Sequence, residues 1–161
     1  MTIKVGDKVP SGKFAHMTKD GPAEITSSEL FDGKKVVLFA VPGAFTPTCN
    51  ETHLPGFIVS ADDIKAKGVD TIACLAVNDV FVVGAWAAQQ NTEQLLMLAD
   101  GSADYATALD LTLDLTAHGL GVRADRFAMI VDDGVVTHLA CEEPGQMDVS
   151  SAESILKALS A

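Results

Sequence analysis

The 161-residue sequence has few cysteines and few basic residues, and each shortage excludes a class of protein. Its three cysteines are an odd number, and their spacing matches neither a disulfide framework nor a zinc finger, so we expect reduced thiols in a cytoplasmic protein. Dispersed Lys and Arg residues number 11 against 22 Asp and Glu, for a net charge of -11. Nucleic acid and anionic membrane surfaces are therefore poor partners.

Long apolar runs are also missing. The longest, residues 36–45, is interrupted by Pro42 and Gly43, and the first ten residues contain no apolar segment. We therefore expect neither a signal peptide nor a membrane span. The 48% hydrophobic content, without a long polar tract, predicts one globular domain over residues 1–161.

The order of apolar runs and turn residues predicts the fold class. An N-terminal hairpin (13–25) and a helical turn capped by Ser27 or Ser28 precede a buried strand at 35–41 and a helix from Thr46 to residue 67. Further strands are predicted at 69–77 and 95–99, further helices at 80–90 and 103–109, then a loop at 117–121, a hairpin (126–131 and 135–141) and a terminal helix from Ser150 or Ser151. This order predicts an α/β, thioredoxin-like fold, in which a central mixed sheet carries helices on both faces.

The junction between the strand at 35–41 and the next helix carries the candidate chemistry. Thr46 suits a helix N-cap and Pro47 the first helical position, which places Cys49 at the third. A thiolate there meets unpaired backbone N–H groups and the positive end of the helix dipole, which stabilise it by roughly 0.3 to 1 kcal/mol. Cys49 is therefore the candidate nucleophile, provided that a neighbouring cation adds to the effect.

The same helix contains Pro55 and Gly56. Proline inside a helix removes one hydrogen bond and clashes with the preceding turn, at a cost of roughly 3 kcal/mol. We expect the helix to break and kink there, leaving a first segment that unwinds easily.

Four sequence blocks resemble the peroxiredoxins. Residues 42–49, PGAFTPTC, match the pattern of Pro, three residues, Thr, two residues and Cys. The blocks at 52–57 (THLPGF), 76–79 (AVND) and 126–129 (RFAM), the last followed by an Asp-Asp-Gly turn, are similar to the type II, atypical or group-five, branch. The resemblance spans roughly residues 3 to 160.

The resemblance implies a thiol-dependent peroxidase that reduces hydrogen peroxide and alkyl hydroperoxides, an antioxidant role in cell redox homeostasis. It makes Cys49 the peroxidatic cysteine, which becomes a sulfenic acid. Thr46 hydrogen-bonds the thiolate and the peroxide, Pro42 shields the site from water, and Arg126 stabilises the thiolate and polarises the peroxide. No metal, haem or flavin is implied.

Further residues are candidates for the surroundings of this site. His53, four residues after Cys49, has a spacing that suits a metal, but no other ligands are evident, and the resemblance makes it a pocket residue instead. Gly43 and Phe45 are placed at the substrate pocket. Two further residues, Arg123 and Glu51, form either a supporting ion pair or solvated surface charges.

The resemblance leaves the second half-reaction open. Atypical animal and yeast enzymes carry a resolving cysteine in a loop that corresponds here to residues 149–151, where this sequence has none. Cys74 lies in an apolar run and Cys141 on a predicted strand, so each could pair with Cys49 only after local unwinding. We expect resolution by an external thiol, either glutathione with glutaredoxin or thioredoxin, in a homodimeric protein.

Two alternatives keep the fold but change the function. A thioredoxin-like disulfide reductase needs a Cys-x-x-Cys motif, whereas Asn50, Glu51 and Thr52 follow Cys49. A redox sensor or holdase would use the same cysteine to bind partners once it is oxidised.

Overall fold

The computed structural model describes residues 1–160. Its strands are β1 Lys13–Thr18, β2 Gly21–Thr26, β3 Lys35–Val41, β4 Thr71–Ala76, β5 Leu96–Ala99, β6 Thr112–Leu115, β7 Gly121–Ala124, β8 Phe127–Asp132 and β9 Val135–Cys141. Its α-helices are α1 Ser27–Phe31, α2 Leu54–Ala66, α3 Val80–Gln89, α4 Asp104–Leu109 and α5 Ala152–Ser160. A π-helical turn spans Cys49–His53, and a short 3₁₀ turn spans Thr116–His118.

Seven strands form one mixed sheet in the order β2-β1-β5-β4-β3-β8-β9. Strand β3 lies inside it, parallel to β4 and antiparallel to β8. Alternate side chains of β3 belong to two separate apolar clusters. Both faces of the strand are therefore buried, which explains why its sequence is a continuous apolar run. Helices α1 and α4 contribute to one cluster, while α2, α3 and α5 contribute to the other. The expected thioredoxin-like architecture, with helices on both faces, is confirmed.

The hairpins follow from their turn residues. Asp133 and Gly134 join β8 to β9 with φ angles of 48° and 80°. This left-handed pair is the turn that matches the twist of a two-residue hairpin loop, and glycine adopts it without a steric penalty. The N-terminal hairpin at β1 and β2 is likewise present.

Two local expectations were wrong, and one pair of strands was not predicted. The cap of α1 is Thr26 rather than Ser27 or Ser28, with a reciprocal bond from its backbone to Glu29. The loop expected at 117–121 is present up to residue 120 and connects β6 to β7, a small antiparallel sheet that was not predicted. The chain is helical without a break from residue 47 to residue 66, so Pro55 and Gly56 do not interrupt it.

A π-helical turn replaces the expected break. The Leu54 amide donates to the Cys49 carbonyl, five residues back, which widens the turn just before Pro55. The wider turn accommodates the proline ring, which in a regular helix would clash with the preceding turn. Such π-helical turns are frequent at functional sites.

Within residues 1–160, no helix is both long and apolar enough to cross a membrane.

Candidate active site

The loop from Pro42 to Thr46 connects β3 to the helix that carries Cys49. Phe45 lies in the left-handed region at φ 66°, which turns the chain sharply before the helix. The Thr46 hydroxyl donates to the Gly43 carbonyl at 2.7 Å instead of accepting from an amide of the first turn. The expected side-chain cap is therefore absent, although the helix does begin at residue 47 and Cys49 is its third residue.

Cys49 is completely buried, and a guanidinium group faces its sulfur. The Arg126 Nη2 atom lies 3.0 Å from Cys49 Sγ. Arg126 reaches the thiol because β3 and β8 pair antiparallel with Ala40 opposite Phe127, so the residue before β8 meets the loop that follows β3. A hydrogen bond to a charged group contributes about 1.5 to 3 kcal/mol, so this contact supplies the cation that the helix terminus alone does not.

His53 is buried beside the same guanidinium. Arg126 Nη1 lies 2.8 Å from His53 Nδ1, and His53 Nε2 lies 2.9 Å from the Ser150 carbonyl. Burial, helped by the Arg126 charge and opposed by the bond to Ser150, lowers the pKa of His53 to about 4. The imidazole is thus neutral at pH 7, with its proton on Nε2 for Ser150 and its Nδ1 lone pair accepting from Arg126.

Pro42 and Arg126 line a cavity of about 250 Å³ together with Thr48, Leu113 and Leu115. Two of these residues come from β6, one strand of the small sheet that the sequence pattern did not predict. The cavity is large enough for a small hydroperoxide, and the buried Cys49 is not among its lining residues. Its lining combines donors and apolar side chains with three carboxylates, those of Asp125, Glu142 and Glu143.

Arg123 and Glu51 are not a pair, which decides the alternative left open from the sequence. Arg123 donates to three backbone carbonyls, those of Leu120 at 2.7 Å, Pro42 at 3.3 Å and Val77 at 3.1 Å. Glu51 is exposed and belongs to a separate groove. Arg123 therefore fastens the Pro42 loop to β7, while Glu51 is a surface charge.

The Gly43 and Phe45 positions differ in their relation to the thiol. A side chain at Gly43 would come within 3.0 Å of Arg123 Nη1, so glycine allows the arginine to approach. Phe45 is 45% exposed, with its ring 6.4 Å from that of Trp86. Phe45 thus belongs to the outer surface beside the site.

The other two cysteines are free thiols in different surroundings. Burial, reinforced by the proximity of Cys49, raises the pKa of Cys74 well above its usual value. Partial burial and the carboxylates of Asp125 and Glu142 raise the pKa of Cys141 to about 11. Both thiols therefore stay protonated at neutral pH and are weak nucleophiles.

Two polar anchors were not predicted from the sequence. The Asn50 side-chain oxygen accepts from Trp86 Nε1 and Gln90 Nε2, each at 2.9 Å, and so ties the π-helical turn to α3. The Glu142 carboxylate accepts from the Ser150 hydroxyl and amide and from the Asp148 amide. An asparagine next to a candidate nucleophile was an available signal for the first anchor, whereas nothing in the pattern around Glu142 indicated the second.

Metal chemistry gains no support from the side-chain arrangement. In the part of the chain that the structure describes, no group of three or more His, Cys, Asp or Glu side chains is placed to hold a metal ion. His53 has both ring nitrogens engaged by Arg126 and Ser150.

Comparison with known proteins gives consistent matches. The profile of the Redoxin family matches residues 4–156 of this chain. The chloroplastic Peroxiredoxin-2E-2 of Oryza sativa subsp. japonica is 49% identical over 164 residues, covering 98% of this chain and 73% of the rice protein. Peroxiredoxin-2B of Arabidopsis thaliana is 48% identical over 159 residues, covering 98% of each chain.

A solved structure shows the same fold. The crystal structure of reduced Prx3 from Vibrio vulnificus in complex with H₂O₂ has a TM-score of 0.95 and 54% sequence identity. The match covers 98% of this chain and 99% of that one.

Proposed function

We propose a catalytic cycle for this chain on the premise that it belongs to the Redoxin family and is a peroxiredoxin, a thiol-dependent peroxidase. In this cycle Cys49 is the peroxidatic nucleophile. The observation that carries the proposal is the contact of 3.0 Å between Arg126 Nη2 and the buried Cys49 sulfur at the start of a helix. No other thiol among residues 1–160 has a guanidinium partner.

In the first step, the Cys49 thiolate attacks one peroxide oxygen of ROOH and the O–O bond breaks. The sulfur is oxidised to a sulfenic acid, and the leaving oxygen takes a proton to become ROH or water. Arg126 donates to the thiolate and to the charge that develops on the leaving oxygen. The Thr46 hydroxyl, whose proton points to Gly43, retains lone pairs that can accept the peroxide O–H.

Pro42, Thr48 and the apolar residues of β6 form the walls of the cavity in which the peroxide would bind. The Vibrio vulnificus protein binds H₂O₂, and at 54% identity it supports the same substrate here. Leu113 and Leu115 favour small alkyl hydroperoxides as a second substrate class.

We assign the second half-reaction to an external thiol. The sulfenic acid reacts with one thiol to give a mixed disulfide and water, and a second thiol then releases Cys49 and forms the external disulfide. Glutathione with glutaredoxin, or thioredoxin, suits this step. Cys74 and Cys141 are both held protonated, which disfavours them as internal resolving thiols.

The branch, assembly and location are proposed on similar grounds. Similarity to the plant proteins named Peroxiredoxin-2 supports the type II, group-five branch. Exposed apolar side chains near the Pro42 loop support a homodimer. Three unpaired cysteines suit a reducing compartment such as the cytoplasm.

The test is peroxide consumption by the purified protein, with glutathione plus glutaredoxin in one assay and thioredoxin plus its reductase in another. Cys49→Ser should abolish turnover in both, whereas the matched variants Cys74→Ser and Cys141→Ser should retain most of it with the external reductant. An equal loss in either matched variant would indicate an internal resolving thiol. Rapid sulfenic acid formation at Cys49 without turnover by either reductant would instead favour the sensor or holdase.

A further inference from the structure

Glu142 lies at the end of β9, and its backbone is fixed to the arginine of the active site. The Glu142 amide donates to the Arg126 carbonyl at 2.9 Å. The loop from β9 to α5 therefore starts at residue 142, which is anchored beside the Cys49 thiol.

The carboxylate of Glu142 organises that loop. Its Oε2 atom accepts from the Asp148 amide at 2.6 Å, the Ser150 amide at 2.8 Å and the Ser150 hydroxyl at 2.7 Å. Burial would raise the pKa of Glu142, but these hydrogen bonds outweigh burial and lower it, so the group is ionised at neutral pH. One buried charge therefore fixes the backbone of residues 148 to 150.

The fixed backbone in turn determines the state of His53. The Ser150 carbonyl accepts from His53 Nε2 at 2.9 Å, which places the single proton of the neutral imidazole on that nitrogen. The lone pair of Nδ1 is then available to Arg126 Nη1 at 2.8 Å. With Nη1 held in this way, the planar guanidinium directs Nη2 at Cys49 Sγ.

We propose that Glu142 is a positioning residue for peroxide reduction, acting through Ser150 and His53 to orient Arg126 against Cys49. Four of these residues, Glu142, Ser150, His53 and Arg126, form the Glu142 relay, a closed ring of hydrogen bonds in which the Arg126 carbonyl returns to the Glu142 amide. Cys49 lies outside the ring and accepts from Arg126 Nη2. This role of Glu142 rests on the proposed function of Cys49 as the nucleophile. It adds the residues that fix the orientation of Arg126, the cation beside Cys49.

The relay also explains why a buried histidine is placed beside a cation. Protonated His53 would offer Arg126 a second donor and a like charge, and the contact would be lost. A carboxylate that contacted His53 directly would favour that protonated form. Because Glu142 acts through the Ser150 carbonyl, its carboxylate does not contact the ring. Its charge raises the pKa of His53 only against the larger effect of burial, so the imidazole stays neutral at pH 7.

The variants follow from the contacts. Glu142→Ala removes the acceptor for all three donors, whereas Glu142→Gln keeps one oxygen of similar shape and should rescue part of the function. Ser150→Ala removes the hydroxyl donor to Glu142 but keeps the backbone carbonyl that accepts from His53. This milder variant tests the relay if Glu142→Ala does not fold. The matched control is Glu153→Gln, which removes a negative charge from an exposed residue in the first turn of α5.

Three measurements are needed on each variant: the rate constant for peroxide with the reduced protein, the pH midpoint of Cys49 alkylation, and the His53 tautomer from ¹⁵N NMR. For Glu142→Ala we expect a rate constant about ten to a hundred times lower, a higher alkylation midpoint and a mixed tautomer. Glu142→Gln and Ser150→Ala should fall between that variant and the unmodified protein, and Glu153→Gln should match the unmodified protein in all three.

An unchanged tautomer and alkylation profile in Glu142→Ala would overturn the relay, as would an equal loss in Glu153→Gln, which would reveal a simple charge effect. If Glu142→Ala does not fold, Glu142→Gln and Ser150→Ala take its place. An unchanged tautomer and alkylation profile in both of these variants would then overturn the relay. Cys49→Ser separates this outcome from a failure of the proposed function: if it still reduces peroxide, Cys49 is not the nucleophile, whatever the Glu142 variants do.

Discussion

At the scale of single residues, the arrangement of Arg126 matters as much as its charge. Its two terminal nitrogens contact different partners, Cys49 Sγ at 3.0 Å and His53 Nδ1 at 2.8 Å. A guanidinium presents both donors in one rigid plane, which an ammonium group does not do. Lysine therefore conserves the charge at this position but not the geometry.

Arg126→Ala should lower the rate constant for peroxide by about 10² to 10³, the effect of removing one donor to developing charge. Arg126→Lys should recover only part of this loss, since one ammonium cannot hold both partners. Stopped-flow fluorescence of Trp86, whose indole is bonded to Asn50 next to the thiol, is a suitable measurement. A rate constant within threefold of the unmodified protein in Arg126→Ala would contradict the role given to this residue.

The buried histidine predicts a dependence of stability on pH. The pKa of His53 falls from 6.5 in the unfolded chain to about 4 in the folded protein. Between these values the unfolded chain binds the extra proton, so the free energy of unfolding should decrease as the pH falls from 6.5 towards 4. At about 1.4 kcal/mol per pKa unit, the full loss from this residue is about 3 kcal/mol.

His53→Gln should remove that part of the pH dependence, because glutamine can accept from Arg126 and donate to Ser150 without titrating. Urea unfolding at several pH values between 4 and 7 gives the comparison. His118→Gln, at an exposed position of the 3₁₀ turn, is the control and should keep the slope of the unmodified protein. Identical slopes for the unmodified protein and His53→Gln would show that the imidazole is not held neutral by the fold.

At the scale of elements, strong local signals predicted most of the structure. Strand β3 was recognisable because both of its faces are buried, and the hairpin of β8 and β9 because Asp133 and Gly134 suit its turn. The small sheet of β6 and β7 was missed because each strand has only four residues, too few for their alternation of apolar and polar side chains to indicate a strand. Short strands of this kind depend on tertiary packing more than on local propensity.

The candidate site, like the fold, could be predicted from the sequence only in part. Cys49 and Arg126 were predicted from a helix-start pattern and a family resemblance, and the structure places them in contact. Glu142 was not predicted, because its role depends on the backbone conformation of a loop that no local pattern specifies. The π-helical turn was missed for a related reason, since the Pro55 rule predicts a disrupted helix but not how the disruption is accommodated.

The π-helical turn predicts where the protein opens. Cys49 is completely buried, so in the proposed cycle residues 49–53 have to unwind before an external thiol can reach its sulfenic acid. Amides of residues 49–54 should therefore exchange with deuterium faster than those of residues 58–66 in the same helix. Pro55→Ala restores an amide donor and removes the ring, so it should slow exchange at 49–54 and slow reduction of the oxidised enzyme.

Hydrogen exchange with mass spectrometry, together with single-turnover reduction, measures both effects. Pro22→Ala, a proline substitution at an exposed position of β2, is the control and should alter neither. Equal protection along the whole helix in the unmodified protein would mean that the thiol is reached by another route.

At the scale of the whole molecule, several exposed apolar side chains lie on the segments that border the Pro42 loop. Phe81 is 66% exposed, Phe45 45%, Val122 47% and Leu120 40%. The ring of Phe45 approaches that of Trp86 on the helix that also carries Phe81. Arg123, from the same strand as Val122, donates to the Val77 carbonyl just before that helix. These four exposed side chains, named the apolar patch, lie on segments that hydrogen bonds of Asn78 and Arg123 join to the Pro42 loop, and exposed apolar surface is a feature expected of a protein interface.

If two copies associate through this patch, Phe81→Asp should convert the dimer to a monomer in sedimentation experiments. Val59→Asp is the matched control, because Val59 is 84% exposed on α2, outside the patch, and this variant should remain dimeric.

Each copy carries a net charge of -11, so the copies repel one another, and raising the salt from 20 to 200 mM should lower the dimer dissociation constant several-fold. A monomeric unmodified protein at all salt concentrations, or equal dissociation of both variants, would show that the patch has another use.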